Sequence, residues 1–157
     1  MLLDRNSHAY TSLDSFNTAK VTPTAFAGAT TDAHGDSAGT SNPFTLFTVT
    51  GDVLVRIFGV CTTLLTGTGT LEVGVTGNTA ALIAQTTGTE IDANEIWSDA
   101  SPTLGVDTLA SVLGPYIIVN GLDIIETVGT ADITAGAIYY ICLWRPLSHD
   151  GNVVNAV

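Results

Sequence analysis

Two stretches restrict the fold of this chain more than any others. Ala137 to Trp144 reads AIYYICLW and Asp52 to Cys61 reads DVLVRIFGVC. Both are built almost wholly from β-branched, aromatic and other large apolar residues, which suit a pleated, buried backbone better than a helix. Side chains alternate along a strand, so Ile138, Tyr140, Cys142 and Trp144 share one face of the first run, and Tyr139, Ile141 and Leu143 share the other. In the second run Val53, Val55, Ile57 and Cys61 lie opposite Leu54, Phe58 and Val60. A strand that is apolar on both faces has to be covered on both. The two runs are therefore predicted to pair at the centre of a sheet that carries a second layer. The first closes at Arg145-Pro146, where the proline ring removes a ladder donor.

The rest of the chain from Phe44 is organised around them. FTLFTVT is predicted as a strand that turns at Gly51-Asp52 into the Asp52 run as a hairpin, and that run continues to a turn at Thr66 to Gly69. TLEVGVT alternates, with Leu71, Val73 and Val75 inward, and Gly77-Asn78 separates it from ALIAQ. Glu90 to Thr103 reads as a strand and loop, while LGVDTLASVLG fits either one helical turn or a strand. Asn120-Gly121 is a strong hairpin signal and predicts the pairing of Tyr116 to Val119 with Leu122 to Val128. SHDGNVVNAV is read as a polar tail. About eight strands with recurrent turn signals and no long amphipathic helix predict an all-β, antiparallel β-sandwich of jelly-roll type. No internal repeat argues for a solenoid.

Residues 1–43 have another texture, dominated by Ala, Thr, Ser, Gly, Asn and Asp. They are predicted to be an extended N-terminal arm on a body formed by 44–157. ATTDAHGDSAGTSNP in particular has too few large side chains to offset its own ordering entropy. The arm is expected to order against a neighbouring subunit, with Leu2, Leu3, Tyr10, Phe16 and Phe26 as anchors. At ~3.3 Å per extended residue its reach is on the order of 130 Å.

Composition narrows the function. The 157 residues suit one domain, which at this size buries roughly 70% of its unfolded surface. Hydrophobic residues make up 45% of the chain and charged residues 12%, so part of the apolar surface is expected to meet other protein. Four Lys and Arg stand against 15 Asp and Glu, for a net charge of −11. Such a chain repels a phosphate backbone or an anionic membrane, so neither is expected as a partner. Asp4 and Arg5 interrupt the N-terminus before any secretory core forms, and no run reaches the ~18 apolar residues of a membrane helix. The protein is expected to stay where it is made or to leave on lysis.

Chemical motifs are sparse. Cys61 and Cys142 lie in apolar runs, as small buried hydrophobes or as a disulfide pair. Asp32, His34 and Asp36 alternate as metal ligands could, but the small residues around them favour a plain loop. Glu90, Asp92, Glu95 and Asp99 lack the spacing of a calcium loop and read as a solvated edge. His8, His34 and His149 fall in segments read as peripheral, and neither a GxSxG elbow nor a phosphate loop is present. Trp144 reads as core, and Arg56 and Arg145 are expected to pair with carboxylates. No catalytic residue, cofactor or metal site is assigned.

The phrases LEVGVTGNTAALIAQTTGTEIDANEIWSDASPT and IIVNGLDIIETVGTADITAGAIYYICLWRPLSHDGNVV resemble those of small tailed-bacteriophage proteins that decorate or cement the capsid. The resemblance spans about Gly51 to Val154. It implies a β-sandwich protomer, commonly a homotrimer, seated on the outer capsid surface against the major capsid protein and bridging neighbouring capsomers. It carries no motif of functional residues. The competing expectation is a receptor- or carbohydrate-binding module of a phage fibre or adhesin, for which Trp97 is the first candidate contact. A small trimeric β-fold enzyme is less favoured, because no His-x-His pattern or nucleotide motif appears.

Overall fold

A computed structural model describes residues 16–108 and 114–157. Their strands are β1 (Asn17–Val21), β2 (Phe44–Thr50), β3 (Val53–Thr66), β4 (Thr70–Val75), β5 (Asn78–Thr87), β6 (Glu95–Trp97), β7 (Thr103–Leu104), β8 (Tyr116–Ile118), β9 (Ile124–Gly129), β10 (Ala135–Pro146) and β11 (Asn152–Asn155). A 3₁₀ turn, Gly88–Glu90, is the one helical element among the described residues.

The strands form two antiparallel sheets packed as a β-sandwich. Sheet I runs β1-β10-β3-β6-β7, with β8 also beside β3, and sheet II runs β11-β2-β9-β4-β5. The predicted central pair is present: β10 lies antiparallel to β3 from Ala135 opposite Thr66 to Pro146 opposite Val53. Along β3 the alternation follows the sequence, with Val53, Val55, Ile57 and Cys61 buried and Leu54, Arg56, Phe58 and Val60 half-buried. The inward rows meet Leu46, Leu71, Val73, Ile83 and Ile124 of sheet II in one core. Gly59 makes room there. A Cβ on it would lie 3.1 Å from Tyr140 and 3.4 Å from Trp97, whose rings meet edge to face at 6.3 Å.

Several local expectations are corrected. The chain from β2 to β3 does not fold back as a hairpin, because β2 belongs to sheet II and β3 to sheet I. The Asn120-Gly121 turn does form, with φ of 58° and 65°. Yet its strands also part, β8 pairing β3 and β9 pairing β2 and β4. The turn is held from outside by Asn120 N–H on Asp52 Oδ1 at 3.0 Å and Gly121 N–H on the Gly51 carbonyl at 3.0 Å. The supposed polar tail contains β11, which pairs β2 from Asn152 opposite Thr50.

The described part of the expected arm, residues 16–43, is joined to the chain's own body. β1 is hydrogen-bonded along β10 from Asn17–Trp144 to Val21–Tyr140. The following loop is fastened by Gly28 N–H on the Ile133 carbonyl and Ile133 N–H on the Gly35 carbonyl. Small residues suit this path: a Cβ on Gly28 would lie 2.2 Å from the Gly35 carbonyl oxygen. Phe26, expected as an anchor on a neighbour, is 3% exposed in the chain's own core, because the loop tucks it beside His34. Phe16 is half-buried against Arg145, and Leu2, Leu3 and Tyr10 lie outside the described residues.

Candidate interaction surface and buried polar network

The outward face of sheet I is the most unusual surface of the molecule. Register places Ile141 beside Lys20 and Phe58, Leu143 beside Thr18 and Arg56, Leu54 beside Arg145 and Ile117, and Val60 beside Tyr139 and Ile96. All of these point away from the core, since the alternate positions are the buried ones. The face is thus a field of aliphatic and aromatic side chains carrying Lys20, Arg56 and Arg145. Those three are all the cations among the described residues, the fourth in the chain being Arg5. Aromatic rings accompany two of them: the Lys20 ammonium stands 4.0 Å from the Tyr139 ring centre and the Arg145 guanidinium 4.7 Å from that of Phe16. The one carboxylate in the strands of sheet I, Glu95, lies on the parity of buried Trp97.

Sheet II differs. Its outward positions include Thr45, Thr48, Thr50 and Glu72, together with Ile125, Thr127 and Val154, and Gln85 Nε2 donates to Glu72 Oε2 at 3.1 Å. Along β2 threonines alternate with core side chains, as in an antiparallel sheet with one face outward. Around the β8 edge, the apolar field of sheet I continues past Ile117, which is 66% exposed, to a groove of about 390 Å³. Val75, Ala81, Leu82, Tyr116, Val119 and Leu122 are among the residues that line it, and none of its lining residues is charged.

The interior holds a polar chain that spans the two sheets. Glu126, on the inward face of β9, is 0% exposed and accepts from both directions. The Tyr140 hydroxyl of β10 donates to its Oε2, and His34 Nε2 lies 2.7 Å from its Oε1. His34 Nδ1 is 2.6 Å from the Thr24 carbonyl. A carbonyl only accepts, so Nδ1 carries a hydrogen, and one further proton is shared between Nε2 and Oε1. Phe26 and Phe44 flank the imidazole at 4.2 and 4.5 Å between ring centres. Burial alone would lower the His34 pKa, but the Glu126 bond and charge, with the Thr24 carbonyl, raise it above its ordinary value. Burial, with the Glu126 charge and hydrogen bond, pushes the Tyr140 phenol well above its usual range. Sealed from solvent and with no nucleophile on the histidine, this chain ties the sandwich together and holds one proton.

The residues singled out from sequence are dispersed. His34 points inward, whereas Asp32 accepts from Thr40 N–H at 2.7 Å and Asp36 from Asp32 N–H at 2.9 Å, so these acids staple their own loop. No metal-binding cluster forms among the described residues. Glu95 Oε2 accepts from Asp92 N–H and Asp99 Oδ1 from Ser101 N–H. Trp97, the expected glycan contact, is 0% exposed and donates Nε1–H to Thr86 Oγ1 at 2.9 Å. Trp144 is half-buried against the core. Cys61 and Cys142 are unbonded buried thiols, pushed by burial up to about 11 and about 12.

Sequence reasoning overlooked Glu126. Its signal was present, because IIETV puts an acid between Ile124 and Val128 at a core position, and a buried carboxylate demands partners. No helix among the described residues is long and apolar enough to cross a membrane. No family model matches the chain, and no match is found among curated proteins or solved structures.

Proposed function

We propose that this protein is a structural subunit that decorates and cements the outer surface of a tailed-phage capsid, bridging neighbouring capsomers as a homo-oligomer, by expectation a trimer. The observation that carries the reading is the outward face of sheet I. It is apolar, carries the Lys and Arg residues described in a chain with net charge −11, and stands on the opposite side of the sandwich from the Thr-rich outer face of sheet II. An apolar face rimmed by polar groups on a chain otherwise rich in acids is suited to protein contact. The sequence resemblance supplies the kind of assembly. Reading the fold as a jelly roll is supported by the strand orders, in which β1-β10-β3-β8 and β2-β9-β4-β5 follow the two interleaved four-strand sheets of that topology.

The mechanism is linkage. A subunit that binds only the expanded shell lowers the free energy of that state, and repetition over many sites multiplies the effect. The purified protein should co-sediment with assembled shells, and shells lacking it should lose genome at lower temperature or chelator concentration than decorated ones. Equal survival of bare and decorated particles would refute the cementing role. The burial of Trp97 leaves the carbohydrate-binding reading without the contact expected for it.

A further inference from the structure

We propose that Asn120-Gly121 is a self-modification site, an asparagine whose deamidation the fold itself holds back. It is the one Asn-Gly pair in the chain. Glycine has no Cβ to keep its nitrogen off the preceding side chain, so in an unfolded chain this is the pair that closes on itself most readily. The Gly121 nitrogen attacks Asn120 Cγ, a C–N bond forms as the Cγ–Nδ2 bond breaks, and the nitrogen's hydrogen leaves with the amide as ammonia. Water then opens the cyclic imide at either carbonyl, giving aspartate or the isomer whose backbone runs through the side chain. Asn120 is exposed, so water and base reach it.

What opposes the reaction is where the turn's two hydrogens are held. Gly121 N–H, the hydrogen the nucleophile must give up, donates to the Gly51 carbonyl at 3.0 Å, and Asn120 N–H donates to Asp52 Oδ1 at 3.0 Å. The Gly121 backbone is also pressed on β2, since a Cβ there would lie 3.0 Å from the Val49 carbonyl oxygen. Ring closure needs the Gly121 nitrogen to leave Gly51, so the reaction runs only in the fraction of time that the turn is open. Its product then keeps the turn open. Asp52 is bonded to the turn, Asp123 Oδ1 accepts from Val49 N–H at 2.9 Å, and Asp150 stands against Gly51, so a new carboxylate at position 120 enters a group of acids. The turn sits where Val53 pairs Ile118, and its loosening frees the end of β8 from β3.

The experiment follows deamidation of the full chain by peptide mass spectrometry at mildly alkaline pH, with an isoaspartate methyltransferase to report the isomer. In urea the wild type should convert first at Asn120. Folded, it should convert there at least roughly tenfold more slowly. Asp52→Ala removes one of the two bonds and leaves the Asn-Gly pair intact, so its folded form should convert faster than the folded wild type and at the same rate in urea. Hydrogen exchange gives a reading that needs no variant, because Gly121 N–H should exchange slowly in the native protein. Asn120→Asp supplies the product's charge and should speed exchange in Tyr116 to Ile118. A native wild type that deamidates at its urea rate, a Gly121 N–H that exchanges at once, or faster conversion in urea at another asparagine would each overturn the inference. So would a folded Asp52→Ala no faster than the wild type, or an Asn120→Asp variant with unchanged exchange in β8.

Discussion

Raising the pH above 6.5 should remove stability from this fold at the rate of one proton. The pair formed by His34 and Glu126 holds a proton between Nε2 and Oε1, and the imidazole's pKa is raised above its ordinary value. In the unfolded chain a histidine releases that proton near pH ~6.5. A raised folded-state pKa means that the contribution is fully present below the unfolded value and is lost as pH climbs through the folded one. Over that window the folded chain binds one more proton than the unfolded chain, so stability falls by about 1.4 kcal/mol per pH unit. For a domain of this size that is a fall in Tm of roughly 3–6 °C per unit. The other groups facing the imidazole do not supply the slope. Tyr140 keeps its proton to well above its usual range, and the Thr24 carbonyl, Phe26 and Phe44 do not titrate. Calorimetry between pH 6 and 9 at constant ionic strength should show the slope in the wild type. It should be lost when His34→Gln and Glu126→Gln are combined, since paired amides keep a hydrogen bond without a titrating proton. His34→Gln alone leaves a buried carboxylate without its cation and should cost about 3–5 kcal/mol. Parallel Tm curves for the wild type and the double variant would refute the shared proton.

Tyr140→Phe removes the donor to Glu126 Oε2 and should cost about 1–3 kcal/mol in urea unfolding, with an unchanged m-value. Trp97→Phe should cost a similar amount, about 1–3 kcal/mol, because Thr86 Oγ1 loses the donor it accepts from and keeps its own donation to the Ala84 carbonyl, while the smaller ring underfills the core. Cys61 and Cys142, both buried and pushed up to about 11 and about 12, should resist an aromatic disulfide reagent at pH 8 until the chain is unfolded. Rapid stoichiometric labelling of the native protein would show that the core opens.

Strand positions were readable where burial writes itself into periodicity. β3 and β10 stand out because they are apolar at every parity, and β4 because Leu71, Val73 and Val75 alternate. Pairing was not readable where it depends on what a turn does next. Gly51-Asp52 and Asn120-Gly121 have the residues of hairpin turns, yet both pass the chain from one sheet to the other. Turn chemistry fixes local dihedrals and leaves undecided whether the next strand lies beside the last or across from it. At Asn120 the outcome is settled by Asp52, about seventy positions away, whose carboxylate takes the turn's N–H. The path of residues 16–43 was not readable for a related reason. Low apolar content suggested an arm, but Gly28, Gly35 and Asn42 fix the loop through backbone-directed bonds that no hydropathy pattern displays.

The two unusual features of the molecule share one cause, the scarcity of cations. An acid buried at an inward position needs a positive or proton-donating partner, and Arg or Lys is the usual means. Here Lys20, Arg56 and Arg145 all sit outward on sheet I, away from Glu126. Glu126 therefore depends on a histidine and a phenol, groups whose hydrogens are held only while the pH allows. A lysine in place of His34 would carry its charge to higher pH, but it could not also lie flat between Phe26 and Phe44 and donate to the Thr24 carbonyl. The imidazole meets all three demands, so Glu126 is answered inside the core while Lys20, Arg56 and Arg145 remain on the outward face of sheet I.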